Sequence, residues 1–409
     1  MLIPKYTITD KILRNIGIIE ACREAIENAP MIPAYERSFQ DEAMLRTVHY
    51  GTHIEGNELS LAEARKVVES RREKRNKGDR GDKGNLLASK AGWGESRDVQ
   101  EVINYRRVMK YIEGLVDGKW EVGGESGSGK REVRIFSHFQ PPTSKPTSHF
   151  SPTLPFFYTQ DQLLKIYTLT VERILPEQEC GKFREIQVVA KNSQTGQVVL
   201  RYPPAVEVPF QINGFLSWLD SPEGRSVHPV LRAGITHYFL SAIHPFVEGN
   251  GRVSRAFATL VLFAEGYDIK KLFSLEEYFD KNAADYFGKL KEISDQDKDI
   301  SKRDLTSWLE FFTEALSNEL SRIKEKVKLL SFDGRFKKKQ GGKQIVLSPR
   351  QLKLVEHLEV YEEMEMNTAK EILPMVSEDT ILRDLQDLIK RGIIKKKGKT
   401  KGARYYVSY

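Results

Sequence analysis

The sequence predicts a mainly α-helical protein with one β-hairpin, followed by a small α/β unit. Three observations carry this. Long segments repeat apolar residues at three- and four-residue intervals, the mark of amphipathic helices. Two runs rich in β-branched residues, Ile186–Val189 and Gln197–Tyr202, flank the turn-prone Asn192–Gly196, as a hairpin requires. Beyond a basic stretch at 335–343 the pattern changes to three short amphipathic segments and two further β-rich runs, 393–397 and 403–407.

Composition bounds the class. Of 409 residues, 40% are hydrophobic and 30% charged, as in an ordinary globular chain, and the length suits two or three domains. No apolar run approaches the roughly 18 residues of a membrane helix, and Met1–Lys5 begins no signal-peptide core, so a cytoplasmic protein without membrane contact is expected. Cys22 and Cys180 stand alone, which gives neither a disulfide framework nor zinc spacing. The net charge of +7 is uneven, with basic clusters at 71–82, 335–343 and 390–404.

In chain order, Ile12, Leu13, Ile16, Ile19 and Ile26 mark a helix over 8–29, and a turn follows at 30–33. A helix over about 39–52 runs into Gly51-Thr-His-Ile-Glu-Gly-Asn57, and another covers 58–70. The polar stretch 71–96 reads as a mobile loop, and Asp98–Tyr105 starts a helix reaching about 115. Residues 119–156 read as an insertion. Its Gly124–Lys130 has the GxxxxGK spacing of a phosphate loop, but Arg131 stands where a Ser or Thr is required, and Val133–Phe136 alternates like a strand where a helix must begin. We read it as a decoy, and 141–148 as a Pro/Ser/Thr linker. A helix returns over 160–174, the hairpin ends at Pro203-Pro204, and helices follow over 210–220 and 226–243. His228 and His237 read as helix-face or capping residues. Leu275–Phe287 and 302–329 read as further helices.

The chemistry concentrates at 244–255, His-Pro-Phe-Val-Glu-Gly-Asn-Gly-Arg-Val-Ser-Arg, between two apolar helices. Gly249 and Gly251 let backbone N–H groups curl round an anion, and the following helix turns its positive end to the same place. Arg252 and Arg255, three apart, project near that end and suit a polyphosphate. Glu248, the one acid of the loop, suits Mg²⁺, which takes one or two carboxylates plus phosphate oxygens. His244 can accept a proton near neutral pH.

These twelve residues resemble the signature of the Fic family, His-Pro-Phe-x-Asp/Glu-Gly-Asn-Gly-Arg-x-x-Arg, at every fixed position. The resemblance implies transfer of AMP from ATP to a Ser, Thr or Tyr hydroxyl of a target protein or of the chain itself, with Mg²⁺. It implies His244 as the base, Glu248 as the metal ligand, Gly249, Asn250 and Gly251 round the transferred phosphate, and Arg252 and Arg255 on the outer phosphates. Phe246 would anchor the loop. It places Asn282 and Tyr286 near the adenine, and makes Ile186, Gln187, Val188 and Val189 part of a flap that pairs with the target's backbone. Asn104-Tyr105 matches a pair assigned to the core. Ile54–Asn57 resembles the family's inhibitory motif, in which Glu55 would pair with Arg255 and keep the γ-phosphate out. One departure stands out: Gly51 occupies the motif's Ser/Thr position, which suggests a looser clamp, since Gly weakens a helix by about 1 kcal/mol against Ala.

Residues 348–409 form the second module. Ser348-Pro349 starts a helix, Asn367–Leu373 makes a second, Ser377 caps a third, Gly392 closes it, and the β-rich runs at 393–397 and 403–407 make a two-stranded wing. This resembles a winged helix–turn–helix, with Glu378, Thr380, Arg383 and Asp384 outward on the recognition helix and Lys395–Lys401 on the wing. The expected plan is therefore 1–118 as an N-terminal region holding the inhibitory helix (about 39–56), 119–156 as insertion, 157–330 as the Fic-type catalytic core, 331–347 as basic linker and 348–409 as the winged helix. Duplex DNA through 348–409 and a homodimer are candidate partners. The competing reading is a DNA-bound regulator whose Fic domain senses nucleotide or modifies itself.

Overall fold

A computed structural model describes residues 3–29, 31, 33–76, 96–118, 156–191, 198–330, 347–374, 376–398 and 403–408. The expected mobile loop beyond residue 76, almost all of the insertion with its GxxxxGK-like stretch, the hairpin tip and the basic linker lie outside the described residues.

The chain is mainly α, with a two-stranded hairpin and a small three-stranded sheet. The first helix, α1 (Asp10–Glu27), is capped by the Thr9 hydroxyl, which accepts from Ile12 N, and it lays Ile12, Ile19, Cys22 and Ile26 inward. Next come α2 (Pro33–His53), α3 (Leu61–Asn76), α4 (Arg97–Val116) and α5 (Gln160–Val171). The hairpin strands are β1 (Val189–Lys191) and β2 (Val198–Arg201), and α6 (Val208–Asp220) and α7 (Pro222–Ser226) lead on. The centre is the pair α8 (Pro229–Ile243) and α9 (Asn250–Ala264), which pack on each other and are buried almost all round. Their apolar residues face all round, and the polar ones they carry, among them Arg232, His237, Arg252 and Arg255, are buried with them. Then α10 (Leu275–Lys281), α11 (Ala283–Ser294) and α12 (Thr306–Leu330) close the unit, with α1 packed along α12. One apolar cluster runs from Ile12 to Val327, so the N-terminal helices share the core of 157–330.

The second cluster, Leu354 to Val407, is separate. It is built from α13 (Pro349–Tyr361), β3 (Glu363–Met364), α14 (Met366–Ile372), α15 (Glu378–Lys390), β4 (Ile394–Lys397) and β5 (Arg404–Val407). Ser348 and Gln351 form a reciprocal capping box at the start of α13.

Several expectations are corrected. The helix holding Gly51 begins at Pro33, not 39. Leu275–Phe287 is two helices, because Asn282 turns its side-chain amide onto the Tyr278 carbonyl (2.8 Å) and leaves helical geometry (φ −118°, ψ 38°). The first hairpin strand begins at Val189, so Ile186, Gln187 and Val188 lie before it. Two of their backbone carbonyls are taken by side chains: Ile186 O by Arg184 (3.1 Å) and Val188 O by Gln187 (3.1 Å). In place of the expected two-stranded wing there is a three-stranded sheet, because β3 pairs with β5 to give the order β3-β5-β4. Asp384 does not point outward: it is 8% exposed and takes a hydrogen bond from Arg350 Nε (2.8 Å).

Candidate active site

The loop between α8 and α9 is fixed from beneath. Phe246 is fully buried and stacks on Tyr167, with centroids 3.8 Å apart and planes 8° apart. Asn250 spends both ends of its amide on the same residue: Phe246 N donates to its Oδ1 (2.9 Å), and its Nδ2 donates to Phe246 O (2.8 Å). The side chain of Asn250 therefore ties the loop, leaving only its backbone for a ligand. Gly249 adopts φ 74°, which only glycine adopts without strain, and no side chain caps the first N–H groups of α9. Those free donors and the helix dipole make an anion site.

That site already faces a carboxylate. Glu55, in the turn after α2, accepts from Arg255 Nη2 (2.7 Å) and from Arg252 Nε (2.9 Å). The expected partner was Arg255 alone, and the structure adds Arg252. Both arginines are about 2% exposed. Burial would raise the Glu55 carboxyl, but Arg255 and Arg252 outweigh it and hold it below its ordinary value. Burial opposes the charge of Arg255, yet Glu55 and the Tyr286 and Tyr105 hydroxyls raise it further. A Cβ on Gly251 would lie 2.2 Å from Glu55 Oε1, so the glycine is what lets the carboxylate reach the helix end. Gly51 has a different reason. Its carbonyl accepts from Arg255 Nη2 (2.8 Å), and a Cβ there would lie 2.3 Å from Tyr105 Cε1.

His244 closes α8 in the left-handed region (φ 50°, ψ 62°). Its ring stacks on Tyr202, 3.7 Å between centroids and 11° between planes. Nδ1 lies 3.4 Å from the Ser241 carbonyl, so with the proton on Nδ1 the other nitrogen is a free acceptor. Burial, aided by the Arg184 charge, pushes its pKa down to about 4 against the smaller upward pulls of the Ser241 carbonyl and Glu55, so the ring is neutral at pH 7. Glu248, with a side chain 29% exposed, faces Arg97 of α4, with which it forms an ion pair, and Arg252 Nη2 (3.6 Å). Tyr286 is 1% exposed and lies behind Arg255, its hydroxyl 3.4 Å from Arg255 Nη1 and 3.0 Å from His237 Nε2. Asn282 is occupied with Tyr278.

Three residues had no signal in the sequence. Arg97 and Glu101 join the network, with Glu101 Oε1 3.4 Å from Arg252 Nη1 and Glu101 Oε2 accepting from Asn57 (3.0 Å). Arg184 reaches the loop from the segment before the hairpin and donates from Nε to His244 O (2.7 Å).

Known proteins resemble this chain in sequence and fold. Residues 157–262 match the Fic/DOC family. The chain is 26% identical over 256 residues, 62% of its length, to the protein named protein adenylyltransferase Fic in Drosophila grimshawi, and 27% identical over 230 residues to the one so named in Aedes aegypti. It spans 40% and 34% of the length of these relatives. Among solved structures, a Fic family protein from Desulfovibrio desulfuricans superposes with TM-score 0.56 at 20% identity, covering 99% of this chain and 98% of that one. Fic-1 of C. elegans superposes with TM-score 0.50 at 18% identity over 77% of this chain and 72% of that one. At these identities the structures speak for the fold. The chain thus carries a Fic/DOC family domain, with the signature loop at its centre and the Fic fold around it.

Proposed function

We propose that this protein transfers AMP from ATP to a hydroxyl side chain of a target protein or of itself, and that Glu55 restrains it. The observation that carries the reading is the anion site itself. Free N–H groups at a helix start lie beside two buried guanidiniums, and the guanidiniums hold a carboxylate from the chain's own α2 turn. A site that binds its own carboxylate this firmly is built for anions.

In this reading His244 Nε2 takes the proton of the target hydroxyl as that oxygen attacks the α-phosphorus of ATP. The bond to the β-phosphate oxygen breaks, pyrophosphate leaves, and AMP stays on the target. Backbone N–H groups at the start of α9 hold the transferred phosphate, and Arg252 and Arg255 hold the outer phosphates. Asn282 and Tyr286 lie on the adenine side, Tyr286 steadying Arg255 from behind. In the flap, Ile186–Val189 running into β1, the Ile186 and Val188 carbonyls are already taken, so it is β1 (Val189–Lys191) that would present backbone to an extended segment of the target. The donor set also fits Mg²⁺. Glu248 is a single, partly exposed carboxylate at the loop, and among the described residues no group of three or more His, Cys, Asp or Glu could form a cage. A metal here would rest on Glu248 and on phosphate oxygens. When bound, it would neutralise phosphate charge.

Glu55 occupies the Arg255 and Arg252 donors that an outer phosphate needs, which is a direct competition. The test is intact mass after incubation with ATP and Mg²⁺. A gain of one AMP is expected, larger in Glu55→Gly and absent when His244→Ala is added. Transfer that survives His244→Ala overturns the base assignment, and equal gain with and without Glu55 overturns the restraint.

We read 348–409 as a winged helix. Three of its four arginines bear on the DNA alternative: Arg350, Arg391 and Arg404 are paired with Asp384, Asp387 and Glu363 plus Glu365. Exposed Glu378 and Asp379 begin the would-be recognition helix. Exposed Arg383 on that helix and Lys395–Lys397 on β4 still offer cations, and Lys370 pairs with Glu378, so the transferase reading rests on the anion site and not on this charge pattern.

A further inference from the structure

We propose that Arg184 is a positioning residue that locks the flap and the catalytic base into one unit, so that the segment that presents the target and the group that deprotonates it move together. The inference rests on the transferase reading and names a residue which that reading does not use.

The geometry begins at the end of α8. The last carbonyls of a helix have no partner within it, and a cation there is favoured by the helix dipole. The last turn of α8 carries no basic residue of its own, and Pro245 ends it at once. Arg184 supplies the cation from outside. Its Nε donates to His244 O (2.7 Å), its Nη2 lies 3.5 Å from Ile243 O, and its backbone N donates to Pro245 O (2.9 Å). One residue therefore serves three consecutive carbonyls centred on His244. The rest of the same guanidinium holds the foot of the hairpin: Nη1 donates to Ile186 O (3.1 Å) before β1, and Nη2 to Pro203 O (2.6 Å) after β2. Gln187 adds a second tie from its Nε2 to Tyr202 O (2.9 Å), and the Tyr202 ring covers the imidazole.

Two features show why such a hub is needed. His244 has φ 50°, a conformation that costs a residue with a Cβ about 1–2 kcal/mol. It also precedes a proline, which restricts it further. Arg184 is 3% exposed, so its fork is removed from water and oriented wholly by these carbonyls. No other side chain has its five donors in a rigid fork. A lysine at this place would keep the charge and serve fewer of them.

Charge separates positioning from simple packing. The charged or titratable groups facing His244 are Arg184, Glu55 and the stacked Tyr202. The Arg184 cation works with burial to keep the imidazole neutral, while Glu55 works against it.

The experiment compares Arg184→Lys and Arg184→Met with the unaltered protein. The titration of His244 is followed by NMR, its signal assigned with His244→Gln. Backbone hydrogen exchange is followed over 184–191 and 198–203, with α8 and α9 as the control for folding. In Arg184→Met the His244 pKa should rise, and exchange at the flap should quicken by about tenfold or more while α8 and α9 stay protected. In Arg184→Lys the flap should loosen and the His244 pKa should hold. With Glu55→Gly added, both variants should gain AMP more slowly, by about tenfold or more, with KM for ATP within about twofold. A folded Arg184→Met protein with unchanged His244 titration and unchanged flap exchange overturns the proposal. So does loosening that spreads equally through α8 and α9 in both variants, since that is a purely structural role. Transfer that survives His244→Gln overturns the base assignment, and no gain of AMP in any form, Glu55→Gly included, overturns the transferase reading instead; in that case the NMR and exchange results still decide the part played by Arg184.

Discussion

His244 shows how much of this site is environment and how little is residue type. An exposed histidine titrates near 6.5, and the sequence offers no reason for another value. Here burial and the nearby Arg184 charge push it to about 4. A base works only when unprotonated, so a lowered pKa extends activity towards acid. Glu55 pulls the His244 pKa upward, so in the Glu55→Gly protein the acid limb of the transfer rate should lie below about 4 and the rate should be level across 5.5–7.5, as a pH–rate profile would show. An acid limb near 6.5 would mean that the ring is solvated in the working state. The motif made the identity of this side chain, of Glu55 and of both arginines legible. It did not show that Glu55 contacts Arg252 as well as Arg255, because that contact depends on where the turn after α2 places its oxygens. Nor did it show that the Asn250 side chain is committed to Phe246.

At the scale of elements, α2 carries the clearest conflict between local and tertiary preference. Taken alone, Gly51 weakens a helix, and replacing it with Ala should stabilise the protein by about 1 kcal/mol. In the fold the same position is where α2 crosses α4, and the missing Cβ leaves room for the Tyr105 ring, whose hydroxyl donates to buried Glu276 (3.0 Å). Tyr105 is fully buried and cannot swing into solvent. Overpacking of this kind costs about 1–3 kcal/mol, so Gly51→Ala should destabilise, and chemical denaturation would read the sign. A more stable Gly51→Ala protein would mean that Tyr105 moves aside freely. Because Gly51 O also binds Arg255, the same variant should disturb the Glu55 contact and raise AMP transfer above that of the unaltered chain, by intact mass. The helices themselves were legible because their apolar spacing is regular. The break at Asn282 and the two-residue strand β3 were not: the first is a side-chain amide competing with a helix, and the second is too short to carry a pattern.

At the scale of the whole molecule, α1 and α12 lie about 300 residues apart in sequence and side by side in space. Periodicity finds each helix but says nothing of which faces which. The pairing rests on Ile12, Ile19, Cys22 and Ile26, all at most 1% exposed, on Asn15 donating to Thr313 Oγ1 (3.1 Å), and on Leu305 N donating to Lys5 O (2.8 Å). A buried Ile is worth about 1.5–3 kcal/mol, so the three isoleucines alone approach the lower end of the roughly 5–15 kcal/mol that holds a domain together. The C-terminal cluster, Leu354 to Val407, shares no residue with the larger one. Shortening the chain from its two ends should therefore give opposite results. A protein ending at residue 330 should keep the thermal midpoint of the larger unit and its AMP transfer, losing only the helical signal of the residues removed. A protein starting at residue 30 should lose the cooperative transition of that unit, and with it the alignment of α8, which packs against α12. Circular dichroism melts of the two shortened proteins decide the matter. A cooperative, unshifted melt without α1 would show that the N-terminal helix is an accessory laid on a complete core, and loss of the transition on removing 331–409 would show that the two clusters stand or fall together.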